Sequence, residues 1–157
     1  MRLNPTVYDF WVFSRNGGTV EFLLLQTSQL KADRYFNGGR FWQIPSGVFR
    51  PDESVKAAVD REVAAYGLSA RAIWAGEHTY TIYNRRFDEI QIISVFAVEA
   101  DFAESVRLNP DEHSTHEWLA YDAALARVHY RGLKDGLRSV HEYVTSQANP
   151  APELQLR

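Results

Sequence analysis

The 157-residue sequence contains no cysteine. That excludes disulfides, thiolate zinc sites and a cysteine nucleophile. It also lacks a long apolar run. The opening stretch MRLNPTVYDFW carries no apolar core of the kind a secretory signal or a membrane span requires, so a cytoplasmic location is the expectation. Positive charge is not in excess: 17 Lys and Arg against 20 Asp and Glu leave a net charge of -3. This argues against a general nucleic-acid binder or a membrane-surface protein. No internal repeat, linker or low-complexity block interrupts the chain. What remains is the composition of an ordinary globular domain, generous in aromatics and long enough to bury a sizeable core.

The apolar pattern supplies the elements. Thr6 to Ser14 is rich in β-branched and aromatic residues and reads as a strand. Asn16-Gly17-Gly18 is a hairpin turn signal, because these residues accept positive φ. Val20 to Gln26 is a near-continuous apolar run, as expected of a strand buried on both faces. Ser28 to Gly39 reads as a polar loop. Ala70 to His78 and Thr79 to Tyr83 read as a strand or strand pair, Asn84-Arg85-Arg86 as a turn, Glu89 to Glu99 as a strand and Glu117 to Ala120 as a short final strand. Tyr121 to Ala126 and Arg131 to Ser146 follow as helices, with Leu133, Leu137, Val140 and Val144 forming one apolar stripe. Residues 149–157 carry two prolines and read as a frayed tail after a single domain of residues 1–148.

The stretch FWQIPSGVFRPDESVKAAVDREVAAYGL, residues 41–68, organises the rest. It predicts a strand over Phe41 to Ile44, a Pro-Ser-Gly turn, and a helix starting near Pro51 and Asp52. Val55, Val59 and Val63 recur at helical spacing, and Gly67 is a candidate C-cap. The charged trio Asp60-Arg61-Glu62 interrupts this small, apolar helix. An acid beside an arginine there serves either as an ion pair or as part of a metal site.

This stretch resembles the Nudix box, the loop-helix signature of the Nudix hydrolases. Gly47 and Glu53 have its first spacing, Arg61 and Glu62 its second, Val63 is its aliphatic residue, and Gly67 and Leu68 close it. The box's Glu-Glu pair is missing: Ala64, Ala65 and Tyr66 fill that region, which is one residue short. Acids at i, i+3 and i+4 share a helix face, so Glu62 is left as the only carboxylate on it. A second likeness lies downstream. In Nudix groups that include the asymmetric diadenosine tetraphosphate hydrolases and the dihydroneopterin triphosphate pyrophosphohydrolases, a Glu-His precedes a Trp-Leu strand. Glu112-His113 and Trp118-Leu119 match it.

The resemblance implies an α+β fold, an α/β/α sandwich around a mixed β-sheet. It implies hydrolysis of a phosphoanhydride bond in a nucleoside or pterin polyphosphate. Glu62, Glu112, Glu53 and Arg61 would be the catalytic group, with Glu53 orienting the box through Arg61 and any of the three acids serving as base. Glu62 and Glu112 would be ligands to Mg²⁺ or Mn²⁺ in a weakened site, and Gly47 would turn the chain beneath the phosphates. Lys31, Arg34 and Arg40 would steer the anionic substrate, or simply be solvated. Trp42, Tyr80 and Tyr83 are candidates to stack a base, or are core residues. Tyr66 would fill space where metal would sit. His113 and His116 form a weak zinc-pair candidate, and Asp88-Glu89 is a turn that could supply a missing ligand. A catalytically inactive Nudix-fold module that binds a nucleotide or a protein is the alternative. The expected partner is a small nucleotide-like molecule, and the oligomeric state is open.

Overall fold

The computed structural model describes residues 1–157. Two strands begin the sheet: β2 (Val7–Asn16) and β3 (Thr19–Thr27), paired antiparallel from Phe13↔Phe22 to Asn16↔Thr19. Gly17 and Gly18 close the hairpin at φ 61° and 87°, a backbone that residues with a Cβ adopt only under strain. Beyond Phe13 and Phe22 the two strands splay. β4 (Trp42–Gln43) pairs with β3 and β5 (Ser46–Val48) with β2, so the segment leading into the box helix fills the gap. β7 (Glu89–Glu99) runs parallel to β2, and β6 (Ala72–Asn84) is antiparallel to β7. β8 (His113–Ala120) lies antiparallel along β3, and β1 (Arg2–Asn4) lies parallel to the start of β7. The result is a mixed sheet of eight strands.

Alternation along β2 builds the two layers. Tyr8, Phe10 and Val12 face α2 (Val55–Ala65) and bury Ala58, Val59 and Val63. Trp11 and Phe13 face the other way, against Ala124 of α3 (Tyr121–Arg127) and Leu133, Leu137 and Val140 of α4 (Arg131–Val140). The α/β/α sandwich expected of an α+β chain is therefore what forms. No helix is long and apolar enough to cross a membrane.

Several boundaries differ from the sequence reading, for local reasons. The supposed loop after β3 holds a helix, α1 (Gln29–Tyr35), started by Ser28, whose hydroxyl accepts the Lys31 N–H at 3.0 Å and donates to the Asp111 carbonyl at 2.7 Å. Seven residues are too few to display a helical period. The Pro-Ser-Gly turn is strand β5 instead. The box helix starts at Val55 with Ser54 as N-cap, while Asp52 sits in the preceding turn at φ 61°. Gly67 ends it as expected: at φ 75° it donates to the Ala64 carbonyl while Leu68 donates to Val63, a Schellman close. Residues 72–84 form one strand with an irregularity between Ala75 and Thr79. The last helix passes into a π-turn at His141–Thr145. Residues 149–157 dock rather than fray. Leu154 is buried, the Leu156 N–H donates to the Ile73 carbonyl at 2.8 Å, and Arg157 forks onto Asp60 of α2 with both contacts at 2.6 Å.

One buried acid stands out on the α4 face. Asp9 is 6 % exposed, pairs in register with Ser46, and accepts a hydrogen bond from the Tyr80 hydroxyl. Burial raises its pKa to about 6, partly offset by the Tyr80 hydrogen bond. A raised carboxylate pKa means that the folded chain holds a proton the unfolded chain releases, so stability declines as pH rises from about 4 to about 6. Asp9→Asn keeps the acceptor without the charge. Its stability advantage over the wild type is expected to grow by about 2–3 kcal/mol between pH 4 and pH 7, read from urea unfolding at each pH. A constant difference would show that Asp9 carries no such penalty.

Candidate active site

Strand β5 holds Gly47 opposite Tyr8. A Cβ at Gly47 would fall 2.5 Å from the Tyr8 hydroxyl and 2.9 Å from Cγ of Glu62. Glycine is required because an aromatic ring and the Glu62 side chain already occupy that space. The same distances show how closely Glu62 leans on the turn.

Arg61 ties the segment together. Its Nε and one terminal nitrogen donate to the two oxygens of Glu53, each at 2.9 Å, and that nitrogen also reaches the Val48 carbonyl at 3.1 Å. Its other terminal nitrogen donates to Glu62 at 2.6 Å. Glu53 further accepts the backbone N–H of Arg50 at 2.9 Å. The loop before α2 is thus clamped to the helix by one planar guanidinium, a geometry that lysine cannot reproduce. The Arg61 hydrogen bond, then the Arg50 amide, hold the Glu53 pKa down at about 2. A carboxylate so engaged is a positioning group and a poor proton acceptor near neutral pH.

Glu112 lies just before β8, and its carboxylate accepts from Lys31 of α1 at 3.2 Å. Tyr66, half-buried, is the C-cap of α2. Its hydroxyl pKa is raised by burial and then by the charges of Glu62 and Glu112, so both carboxylates act on one ring. Glu62 and Glu112 thus both lie within electrostatic reach of the Tyr66 hydroxyl. His113, buried and 6.4 Å ring to ring from Tyr66, has its pKa lowered to about 4, first by burial and then by Lys31. It is neutral at pH 7.

The other candidates are elsewhere or already engaged. Arg40 donates to the Thr27 carbonyl at 3.2 Å, to Gln26 at 3.1 Å and to Ser114. Arg34 follows Lys31 along α1 and forms no ion pair. Trp42, half-buried, packs against the α4-side core with the Arg127 guanidinium 4.9 Å from its ring centre. The Tyr80 hydroxyl belongs to Asp9, and the Tyr83 hydroxyl donates to Asp88 at 2.9 Å. Glu89 is held by Asn4, Gln91 and Arg2, so the Asp88-Glu89 turn supplies no extra ligand. No three His, Asp or Glu side chains gather to hold a metal, and His113 and His116 make no zinc site. Glu62 and Glu112 fit a divalent ion only as two partial donors, with the remaining oxygens coming from a phosphate ligand. Tyr8 is the residue the sequence hid: inside an apolar strand it reads as core, yet its ring underlies Gly47 and its hydroxyl donates to the Ala58 carbonyl at 3.1 Å.

The clamp has a pH signature. A depressed carboxylate pKa contributes stability above the unfolded value of 4.5, and this is lost as pH falls toward 2. Thermal melts from pH 5 to pH 2.5 should therefore fall more steeply for the wild type than for Glu53→Gln. Parallel curves would mean that Glu53 and Arg61 are not coupled.

Comparisons with known proteins bear on the family and the fold. The NUDIX domain model matches residues 4–140. The bis(5'-nucleosyl)-tetraphosphatase (asymmetrical) of Sus scrofa is 27 % identical over 135 residues, covering 82 % of this chain and 84 % of that protein. A NUDIX hydrolase structure from Listeria monocytogenes superposes with a TM-score of 0.74 at 18 % identity, covering 94 % of this chain and 99 % of the other. A C. elegans Ap4A hydrolase superposes with a TM-score of 0.68, also at 18 % identity, covering 94 % of this chain and all of its own, 100 %. At such identities the solved structures speak to the fold alone, whereas the domain model spans most of the sequence. On that match the chain belongs to the Nudix family.

Proposed function

We propose that the chain hydrolyses a phosphoanhydride bond in a nucleoside polyphosphate, or in the related pterin polyphosphates, with fewer acids at the metal than the full box provides. The observation that supports this reading is the Arg61 clamp, which holds Glu62 against the Gly47 turn. The Sus scrofa relative is named for action on an asymmetrical bis(5'-nucleosyl) tetraphosphate, and we extend that substrate class to this chain. The reading includes a small-molecule substrate and a cytoplasmic location.

Each residue then has a task. Gly47 lets the chain turn close to the phosphates, and Lys31 and Arg34 offset their charge. Glu62 and Glu112 would hold Mg²⁺ or Mn²⁺ entering with the polyphosphate, an ion that supplies Lewis-acid neutralisation of phosphate charge. Water attacks phosphorus, the anhydride oxygen leaves with its phosphate, and the water proton passes to a carboxylate. Glu62 or Glu112 is the acceptor; Glu53 is not, because Arg61 and Arg50 occupy its oxygens.

A second reading has its own support. Ala65 and Tyr66 stand where the box carries acids, and no three-carboxylate cluster forms. On this view the cleft binds a nucleotide without cleaving it. Phosphate release from a nucleotide panel with Mg²⁺ or Mn²⁺ separates the two. Turnover in the wild type, lowered about a hundredfold or more in Glu62→Gln and unchanged in the surface control Glu142→Gln, is expected. Tight nucleotide binding with no turnover at high protein concentration would favour the module. Restoring an acid with Ala65→Glu should strengthen Mn²⁺ binding in a calorimetric titration; an unchanged isotherm would mean that the metal face is not where Glu62 points.

A further inference from the structure

β6 pairs only with β7, and β8 only with β3, so these two strands are the outer edges of the sheet. An edge strand offers its free N–H and C=O groups to any strand that comes alongside, unless charged side chains or a covering segment protect it. β8 carries His116 and Glu117, the latter held by Arg127 at 2.6 Å. β6 is covered over its first half only. There the Leu156 N–H donates to the Ile73 carbonyl at 2.8 Å and Gln155 bridges Trp74. The Ser139 hydroxyl then donates to the Gly76 carbonyl at 2.6 Å and reaches that of Glu77 at 3.2 Å. Beyond this point Thr79 to Asn84, TYTIYN, holds no charged residue and no proline. Alternate residues of that stretch turn both N–H and C=O away from β7, and no other backbone group of the chain bonds them.

The side chains of the free stretch fit a reversed copy of themselves. Tyr80 points to the α4 face, where its hydroxyl reaches Asp9 and its ring lies against Gly132. Alternation puts Ile82 on the same face, and Thr79, Thr81 and Tyr83 on the other. Ile82 is 41 % exposed and Tyr83 57 %. Opposite charges flank the stretch: Glu77 precedes it and Arg85 follows it, both exposed and neither in an ion pair. A two-fold axis normal to the sheet keeps like faces together, so it must pass beside a residue rather than between two. Centred on Thr81, it sets Tyr80 against Ile82, Thr79 against Tyr83, and Glu77 beside Arg85 of the other copy.

We propose that Thr79 to Asn84 is the edge through which two copies of this chain join their sheets, antiparallel about Thr81 and closed at each end by Glu77 of one copy against Arg85 of the other. The occupant is a second copy because the stretch is complementary to its own reversal, in charge and in the pairing of large with small side chains. Six residues from each copy make a small contact, so monomer and dimer exchange with concentration. The pairing goes beyond the proposed hydrolysis and does not depend on it.

The test is sedimentation velocity of the whole chain over a rising series of concentrations. The wild type should pass from monomer to dimer. Glu77→Arg and Arg85→Glu each turn two attractive pairs into repulsive ones, so either variant alone should dimerise about tenfold more weakly. Mixed in equal amounts, the two variants should dimerise like the wild type, because each supplies the charge the other lacks. Both positions are exposed, and circular dichroism checks that each variant is folded. A wild type that stays monomeric throughout overturns the proposal. A dimer that neither variant weakens also overturns it, as does a mixture no tighter than its separate components.

Discussion

Arg61 is the interaction on which the site depends. One guanidinium holds Glu53, the Val48 carbonyl and Glu62 simultaneously. The loop before α2, the helix and Glu62 are thus tied together by one side chain. Arginine suits this task because its donors are coplanar and forked, so each bond made reduces the freedom left to the next. The clamp also sorts the acids: Glu53, saturated, stays ionised and structural, while Glu62 accepts only on the oxygen facing Arg61. Three carboxylates that look alike in sequence are divided by the hydrogen bonds each receives.

The sheet makes this placement possible. β2 and β3 leave their hairpin and diverge, and β4 and β5 fill the wedge. The segment entering the box is therefore part of the core rather than a surface loop, and Gly47 is fixed by Tyr8 beneath it. On the outer edge of β3, β8 begins one residue after Glu112, whose carboxylate bonds Lys31 of α1. Strand register, not sequence proximity, positions that acid. Tyr66 and His113, 6.4 Å apart ring to ring, are both neutral at pH 7.

Much of this was legible in the sequence, and the limits are physical. Gly47, Glu53, Arg61, Glu62 and Gly67 stand at fixed spacings because a turn and a helix impose them, so the box could be read from one chain. Glu112 was legible through its Glu-His and Trp-Leu neighbours. α1 was not, because seven residues with one buried alanine show no period. The docked segment 149–157 was hidden by its prolines, which signal irregular backbone but say nothing of what it packs on. Trp42 reads either as a base-stacking or as a core residue because aromatic residues carry no mark of which face is covered; the Arg127 guanidinium lies over its ring.

The central claim is that Glu62 and Glu112, held as described, serve one bound phosphate group together. A crystal structure of the chain with Mg²⁺ and a non-hydrolysable nucleotide measures this directly. The account predicts an ion joined to phosphate oxygens and to carboxylate oxygens of both residues, at about 2.1 Å. An ion held by the nucleotide alone, with either carboxylate turned away from it, would contradict the account.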